Sequence, residues 1–118
     1  MVALQYFVFR DRETNKYLAM ALNDGDPTGR GETIDEAIEG AKRTFESLCL
    51  AIDETGGNVN NCFNASYLSF EELVRRAISV NPELSLLDVP RKERFTPSEG
   101  RSLFPENLQF EFYLEKRV

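Results

Sequence analysis

The last part of the chain carries the most regular pattern in the sequence. Apolar side chains alternate there with more polar ones: Leu108, Phe110, Phe112 and Leu114 with Gln109, Glu111, Tyr113 and Glu115. A period of two is typical of a β-strand that is buried on one face and exposed on the other. An apolar face this regular at the end of the chain must pair with earlier strands, so we expect all the strands to form one sheet.

The N-terminal part supplies the candidate strands. Residues 4–9 are rich in aromatic and β-branched side chains, and they are followed by a charged, turn-like run at residues 11–16. Residues 17–22 form a second apolar run, so a hairpin is predicted. Residues 26–32 contain one proline and two glycines, which predicts a short, irregular third strand at or near a sheet edge.

Two capping boxes predict two helices. Thr33 and Glu36 open the first helix, and Gly56 and Gly57 mark its end. Its apolar stripe has the spacing of a helix packed on one face: Ile34, Ala37, Ile38, Ala41, Phe45, Leu48, Cys49 and Ile52. Ser69 and Glu72 open a second helix, which should stop at Asn81 because Pro82 disfavours a helical residue before it.

These elements predict one domain over residues 1–118 with the α+β order β-β-β-α-α-β. A chain of 118 residues, 42% of them hydrophobic, is long enough for one core. We expect an antiparallel sheet of three to four strands with both helices packed on one face. Residues 90–106 hold three prolines and are predicted to be a long surface loop. A homodimer would follow if the final strand lies at a sheet edge.

The charge is uneven along the chain. Residues 1–57 hold eleven Asp and Glu against six Lys and Arg, a net charge of −5, whereas residues 58–118 hold nine against eight, a net charge of −1. An acidic surface repels phosphate backbones and attracts basic proteins, so nucleic acid is not the expected ligand of the first half. The alternative is that the charge serves solubility alone.

The residue types argue against catalysis. The chain has no histidine, which excludes the usual Ser or Cys triads and most zinc sites. The carboxylate pairs Asp24–Asp26 and Asp11–Glu13 lie in predicted turns, where acidic residues are common. Gly29 and Gly31 lack the third glycine of a dinucleotide fingerprint and a P-loop lysine. We therefore expect no enzymatic activity, no metal and no cofactor.

The cysteines and the apolar runs indicate in which cellular compartment the protein is expected. Cys49 and Cys62 are too far apart for a CxxC redox pair, and structural thiols are expected, with a disulfide between them as the alternative. No run approaches the roughly 18 apolar residues of a membrane span, and the N-terminus lacks a basic leader and cleavage motif. These features predict a cytoplasmic protein that does not contact membrane, with reduced cysteines.

The run Gly31-Glu32-Thr33-Ile34-Asp35-Glu36-Ala37, which follows two strands and a glycine-containing third strand, resembles the N-terminal domain of HicB-type antitoxins. The resemblance covers residues 4–52. It implies a degenerate ribonuclease-H-like β-β-β-α unit, here residues 1–57, that binds a small basic RNA-cleaving toxin and covers its active site. Residues 58–118 would be a C-terminal extension of the same domain. They lack a DNA-binding helix pair, so we do not infer DNA binding from the resemblance.

Two candidate surfaces follow. The first is a protein-binding surface near the third strand and the first helical turn, for which we select Asp24, Asp26, Arg30, Glu32, Asp35 and Glu39. The second, an alternative, is a nucleic-acid-binding surface in the late loop, which would use Arg91, Lys92, Arg94 and Arg101 through charge and stacking. For both sets the simpler interpretation is a solvated surface.

Overall fold

The computed structural model describes residues 2–22, 28–59, 66–94 and 108–116, which form five strands and two helices. In chain order these are β1 (Val2–Arg10), β2 (Tyr17–Ala21), β3 (Thr28–Gly31), α1 (Ile34–Glu54), α2 (Phe70–Val80), β4 (Arg91–Arg94) and β5 (Leu108–Leu114). The strands form one sheet in the order β3-β2-β1-β5-β4. The α+β class and the N-terminal hairpin are confirmed, and β3 lies at an edge as expected.

The sheet is mixed, because its first and last strands are parallel neighbours. Val2 lies opposite Leu108 and Val8 opposite Leu114 in the β1–β5 pairing, whereas β1–β2, β2–β3 and β4–β5 are antiparallel. The predicted antiparallel sheet of three to four strands is therefore wrong in strand number and direction. Since β5 lies between β1 and β4, it is not the edge strand that the dimer hypothesis required.

The two helices cover opposite faces of the sheet. Leu4, Tyr6 and Val8 of β1 share one core cluster with the apolar side of α1, whereas Phe7 and Phe9 belong to a second cluster. That second cluster includes the α2 side chains at positions 73 and 77. The prediction that both helices pack on one face is wrong. The helices cover both faces because β1 is apolar at odd and even positions alike, which is the pattern of a strand buried on both faces.

Close packing between α1 and β3 explains three glycines. A Cβ atom on Gly29 would lie 2.0 Å from the Ala37 carbonyl oxygen and 2.3 Å from the Ala41 amide nitrogen. Gly40 faces back from the helix, where a Cβ would be 3.3 Å from the Arg30 nitrogen. A Cβ on Gly31 would likewise meet Glu36. The G-x-G sequence thus allows the helix to approach the backbone of the edge strand.

The helix ends follow the predicted capping chemistry with one change. The Thr33 hydroxyl accepts a hydrogen bond from the Glu36 amide at 3.1 Å, and Ser69 caps α2 in the same way at 3.3 Å. The Glu36 carboxylate, however, accepts from the amide of Glu32 at 2.7 Å, one residue before the expected donor. Helix α2 ends at its C-cap Asn81, as predicted.

The apolar stripe of α1 differs from the prediction at two positions. Leu48, which belongs to the predicted apolar stripe, is exposed, and Glu46, which does not belong to it, is buried. The Glu46 carboxylate lies 3.2 Å from Nη1 of Arg43, so an ion pair accompanies its burial. Long charged side chains at the margin of a stripe can be covered in this way when a partner is one turn away.

The basic run at residues 91–94 is an edge strand, where a loop was expected. Arg91 lies opposite Phe112, and Arg94 opposite Gln109. Charged side chains are common on edge strands because they discourage pairing with other chains. Residues 95–106 of the predicted loop, including Arg101, lie outside the described residues. Neither described helix is long and apolar enough to cross a membrane.

Candidate functional site

Three of the selected acidic residues lie together at the beginning of α1. Glu32 follows β3, and Asp35 and Glu39 are one turn apart on the same helix face. Their side chains are between 54% and 74% exposed. We call Glu32, Asp35 and Glu39 the acidic surface. The other two selected acids, Asp24 and Asp26, lie outside the described residues.

Each member of the acidic surface is paired with a basic side chain of the same chain. Glu32 lies 3.7 Å from Nζ of Lys16, and Glu39 lies 2.8 Å from Nζ of Lys42. The Asp35 carboxylate lies 2.5 Å from Nη1 of Arg91. Exposed ion pairs of this kind contribute about 0–1 kcal/mol to stability. A partner can therefore replace Lys16 or Arg91 at small cost, whereas the Lys42 side chain is only 14% exposed and its pair with Glu39 is not of this kind.

The Arg91–Asp35 pair joins residues from the two candidate surfaces, which sequence reasoning had kept apart. It connects β4 to the first turn of α1, and Arg91 also lies 3.3 Å from the carboxylate of Glu93. The hydrogen bond to Asp35 raises the pKa of Arg91, while partial burial acts in the opposite direction. Arg91 is thus held between two carboxylates and is poorly placed for a phosphate.

Arg30 does not join the acidic surface. It lies opposite Leu18 of β2, and the neighbouring Gly29 faces α1. Because successive residues of a strand point to opposite faces, the exposed Arg30 side chain lies on the α2 face of the sheet. Arg30 and the helical acids of the selected set therefore lie on opposite faces of the sheet.

Lys92 and Arg94 form a small basic pair on the other face of β4. They lie opposite Glu111 and Gln109 of β5 and are two residues apart, so both point to the α2 face. Both are exposed, and neither forms an ion pair with another described residue. Of the predicted nucleic-acid set, the structure thus places two side chains together and sends Arg91 to the opposite face.

An open cleft lies beside the acidic surface, at the carboxyl ends of β1 and β5. It has a volume of about 480 Å³ and is lined by Tyr17, Glu32, Thr33, Ile34, Asp35, Arg91 and Leu114. A smaller hollow of about 230 Å³ adjoins it and shares three lining residues, Tyr17, Ile34 and Leu114. We call the larger one the cleft. It combines an apolar floor with a charged rim, and sequence reasoning missed it because its walls come from four separate elements.

A buried polar cluster on the α2 face was also missed. Gln5 and Glu111 are neighbours in the central strands, and they are 0% and 2% exposed. The Gln5 side chain makes two hydrogen bonds to the backbone of Leu68, at 2.8 and 3.0 Å. The hydroxyls of Tyr67 and Tyr113 donate to the Glu111 carboxylate. The sequence does carry a signal for this cluster, namely a polar residue within each of two otherwise apolar strands.

The cluster changes the ionisation of its phenols. Burial raises the pKa of Tyr113, and the charge of Glu111 raises it further. Burial and the hydrogen bond to Glu111 also raise the pKa of Tyr67. No buried side-chain polar atom of the described residues lacks a hydrogen-bond partner. This arrangement anchors the segment before α2 to the sheet, which is a structural role.

The other candidate groups have structural surroundings. Asp11 accepts from the Glu13 amide at 3.1 Å and from the Thr14 hydroxyl at 3.0 Å, so it organises the β1–β2 turn. Within the described ranges, no group of three or more Cys, Asp or Glu side chains is arranged to hold a metal ion. Cys49 belongs to α1 and is buried in the core, and Cys62 lies outside the described residues.

The comparisons find no protein family, no curated protein and no solved structure that matches this chain. The interpretation of the site therefore depends on its own geometry and charge, together with the sequence resemblance over residues 4–52.

Proposed function

We propose that the protein is a non-catalytic protein-binding module, similar to the HicB-like domains, that binds a small basic partner through the acidic surface. The observation that carries the proposal is the position of Glu32, Asp35 and Glu39, exposed together beside a cleft with an apolar floor. Interfaces of useful affinity combine such an apolar centre with polar groups around it. The sequence resemblance adds the more specific proposal that the partner is an RNA-cleaving toxin.

Charge supports a basic partner over other classes. The chain carries a net charge of −6, most of it in the half that contains the acidic surface. A field of this sign steers cations toward the protein and raises their association rate. The Lys16–Glu32 and Arg91–Asp35 pairs are exposed on both sides, so a partner's Arg or Lys can replace Lys16 or Arg91 without leaving a buried charge.

The proposal is tested by capture followed by a functional assay. The tagged protein is used to capture partners from its native cell lysate, with and without nuclease, and a small basic protein is expected in both cases. That protein is then purified alone, and we expect it to cleave RNA and to lose this activity when the present chain is added. Recovery of nuclease-sensitive material only would contradict a direct protein partner.

Charge reversal locates the contact. The double variant Asp35→Lys/Glu39→Lys should weaken partner binding by at least about tenfold, since two attractive contacts become repulsive. The matched control is Glu71→Lys/Glu72→Lys in the first turn of α2, where Glu72 is also paired with arginines, at 2.9 and 3.5 Å. Equal loss in both variants would mean that only net charge matters. Unchanged binding in the first, with an intact fold, would remove the acidic surface from the proposal.

One observation favours a second candidate function, association with nucleic acid. Lys92 and Arg94 are exposed on the same face of β4, and neither is ion-paired with another described residue. Binding through them would depend steeply on salt, with each phosphate contact adding about 0.7–0.9 to the log–log slope. A flat salt response, or equal RNA binding by Lys92→Gln/Arg94→Gln, would eliminate this candidate.

A further inference from the structure

We propose that the cleft is a receptor for an arginine side chain of the partner, and that Arg91 is paired with the Asp35 carboxylate at the rim of this receptor in the unbound protein. The inference deepens the proposed function and rests on it for the identity of the partner, but its chemistry can be tested alone. Arg91 would be an internal competitor, displaced from Asp35 when the partner's arginine enters.

The first support is that a guanidinium already lies at the rim of the cleft. Arg91 reaches from the edge strand β4 to the first turn of α1, where its Nη1 atom lies 2.5 Å from Asp35. The same guanidinium lies 3.3 Å from Glu93 through Nη2. Asp35 lies within the positive end of α1, yet it is the partner of a cation, so the carboxylate dominates the local charge.

The second support is the composition of the walls. Tyr17, Ile34 and Leu114 provide an apolar floor, and Glu32 stands on the rim with Asp35. A guanidinium is planar and weakly hydrated, and it packs against aromatic and aliphatic surfaces while its edge donates to carboxylates. An ammonium group is compact and strongly hydrated, so it gains less from such a floor. The cleft therefore favours arginine over lysine.

The third support is that the internal pair is easily replaced. Both its side chains are partly exposed, Asp35 more so than Arg91, so water can solvate them during exchange. The cleft is open and its volume of about 480 Å³ exceeds that of one side chain. A second arginine can enter beside the floor before Arg91 leaves, and no buried charge is created along the way.

The test uses three short peptides, acetyl-Gly-Xaa-Gly-amide with arginine, lysine or neutral citrulline as Xaa, titrated into the full chain and followed by amide chemical shifts. We expect saturable shifts at residues of the cleft, strongest for arginine and weakest for citrulline. Arg91→Gln should tighten arginine-peptide binding by about two- to fivefold, the gain from removing a surface ion pair. Asp35→Asn should weaken it, while the control Glu71→Gln should leave it unchanged.

Several results would overturn the proposal. Equal shifts for the three peptides would show that the cleft has no preference for a guanidinium, and weaker binding by Arg91→Gln would show that Arg91 is not a competitor. If Arg91→Gln fails to fold, the comparison of arginine with citrulline on the unaltered chain decides alone. If the arginine peptide binds selectively but no basic protein is captured, the proposed function is refuted and the arginine receptor is supported. If a basic partner is captured but the peptides bind without selectivity, the receptor is refuted and the proposed function is supported.

Discussion

The hydroxyl of Tyr67 lies 2.9 and 3.1 Å from the two carboxylate oxygens of Glu111, although Tyr67 is 61% exposed and Glu111 only 2%. An exposed phenol thus donates, together with the buried Tyr113, to a buried acid in the central part of the sheet. One strand away, Gln5 holds the backbone of the next residue, Leu68. Together these contacts fix the position from which α2 begins.

Replacing Glu111 should therefore destabilise the fold. In Glu111→Gln the hydroxyls of Tyr67 and Tyr113 donate to a neutral carbonyl oxygen in place of a charged carboxylate, and the weaker hydrogen bonds cost about 1 kcal/mol. The free energy of unfolding is measured with urea and compared with that of Glu71→Gln on the exposed face of α2. A loss no greater than that of the control would mean that the cluster does not stabilise the protein.

The same cluster predicts a loss of stability in alkaline solution. The folded pKa values of Tyr67 and Tyr113 lie above the ordinary value of 10.0, so the unfolded chain releases these protons first. Their contribution is complete below pH 10 and decreases as pH rises through the folded pKa values. Ultraviolet titration should show that Tyr67 and Tyr113 ionise above the ordinary range of a phenol. In Tyr113→Phe one late step should disappear and the alkaline loss should become smaller.

Gly29 should not tolerate a side chain. The Cβ of Gly29→Ala would lie 2.0 Å from the Ala37 carbonyl oxygen, so β3 and α1 must separate, at a cost of about 1–3 kcal/mol or more. The neighbouring exposed residue provides the control, Thr28→Ala, which should change stability by less than about 0.5 kcal/mol. Thermal unfolding of both variants checks the prediction, and similar midpoints would show that the close approach is not required.

The last turn of α1 should gain stability from a positive charge. That turn has no basic residue, and it contains Asp53 and Glu54 beside the negative end of the helix dipole. Glu54→Lys should stabilise the protein by about 0.3–1 kcal/mol at low salt, and Glu54→Gln by less. Because the effect is electrostatic, it should shrink in about 1 M salt. A gain that persists in high salt would indicate helix propensity instead.

Local sequence signals predicted the local structure. The capping hydroxyls of Thr33 and Ser69 and the end of α2 at Asn81 were all found from a few neighbouring residues. The hairpin of β1 and β2 was found for the same reason. Such features depend on hydrogen bonds within four residues and on turn chemistry, both of which are written in short segments.

The long-range arrangement could not be obtained in the same way. Arg91 and Asp35 are far apart in sequence, and only the pairing of β4 with β5 brings the arginine to the start of α1. Charged residues at positions 91–94 have low strand propensity, so their strand depends on the neighbour they pair with. Glu111 suggested an exposed face because polar residues usually face water, whereas here hydrogen bonds from two tyrosines allow its burial.

The parallel pairing of β1 with β5 also determines when the protein can fold. Val2 pairs with Leu108, which is more than one hundred residues away in sequence. The centre of the sheet can therefore form only after the intervening chain has become compact. Both core clusters contain side chains from β1 and β5, and neither is complete before that event. Sheets held by such distant contacts form slowly, because the chain loses conformational entropy before the stabilising strand contacts are made. The protein should therefore fold as a single cooperative unit, and residues 1–57 alone should leave one face of β1 open to self-association.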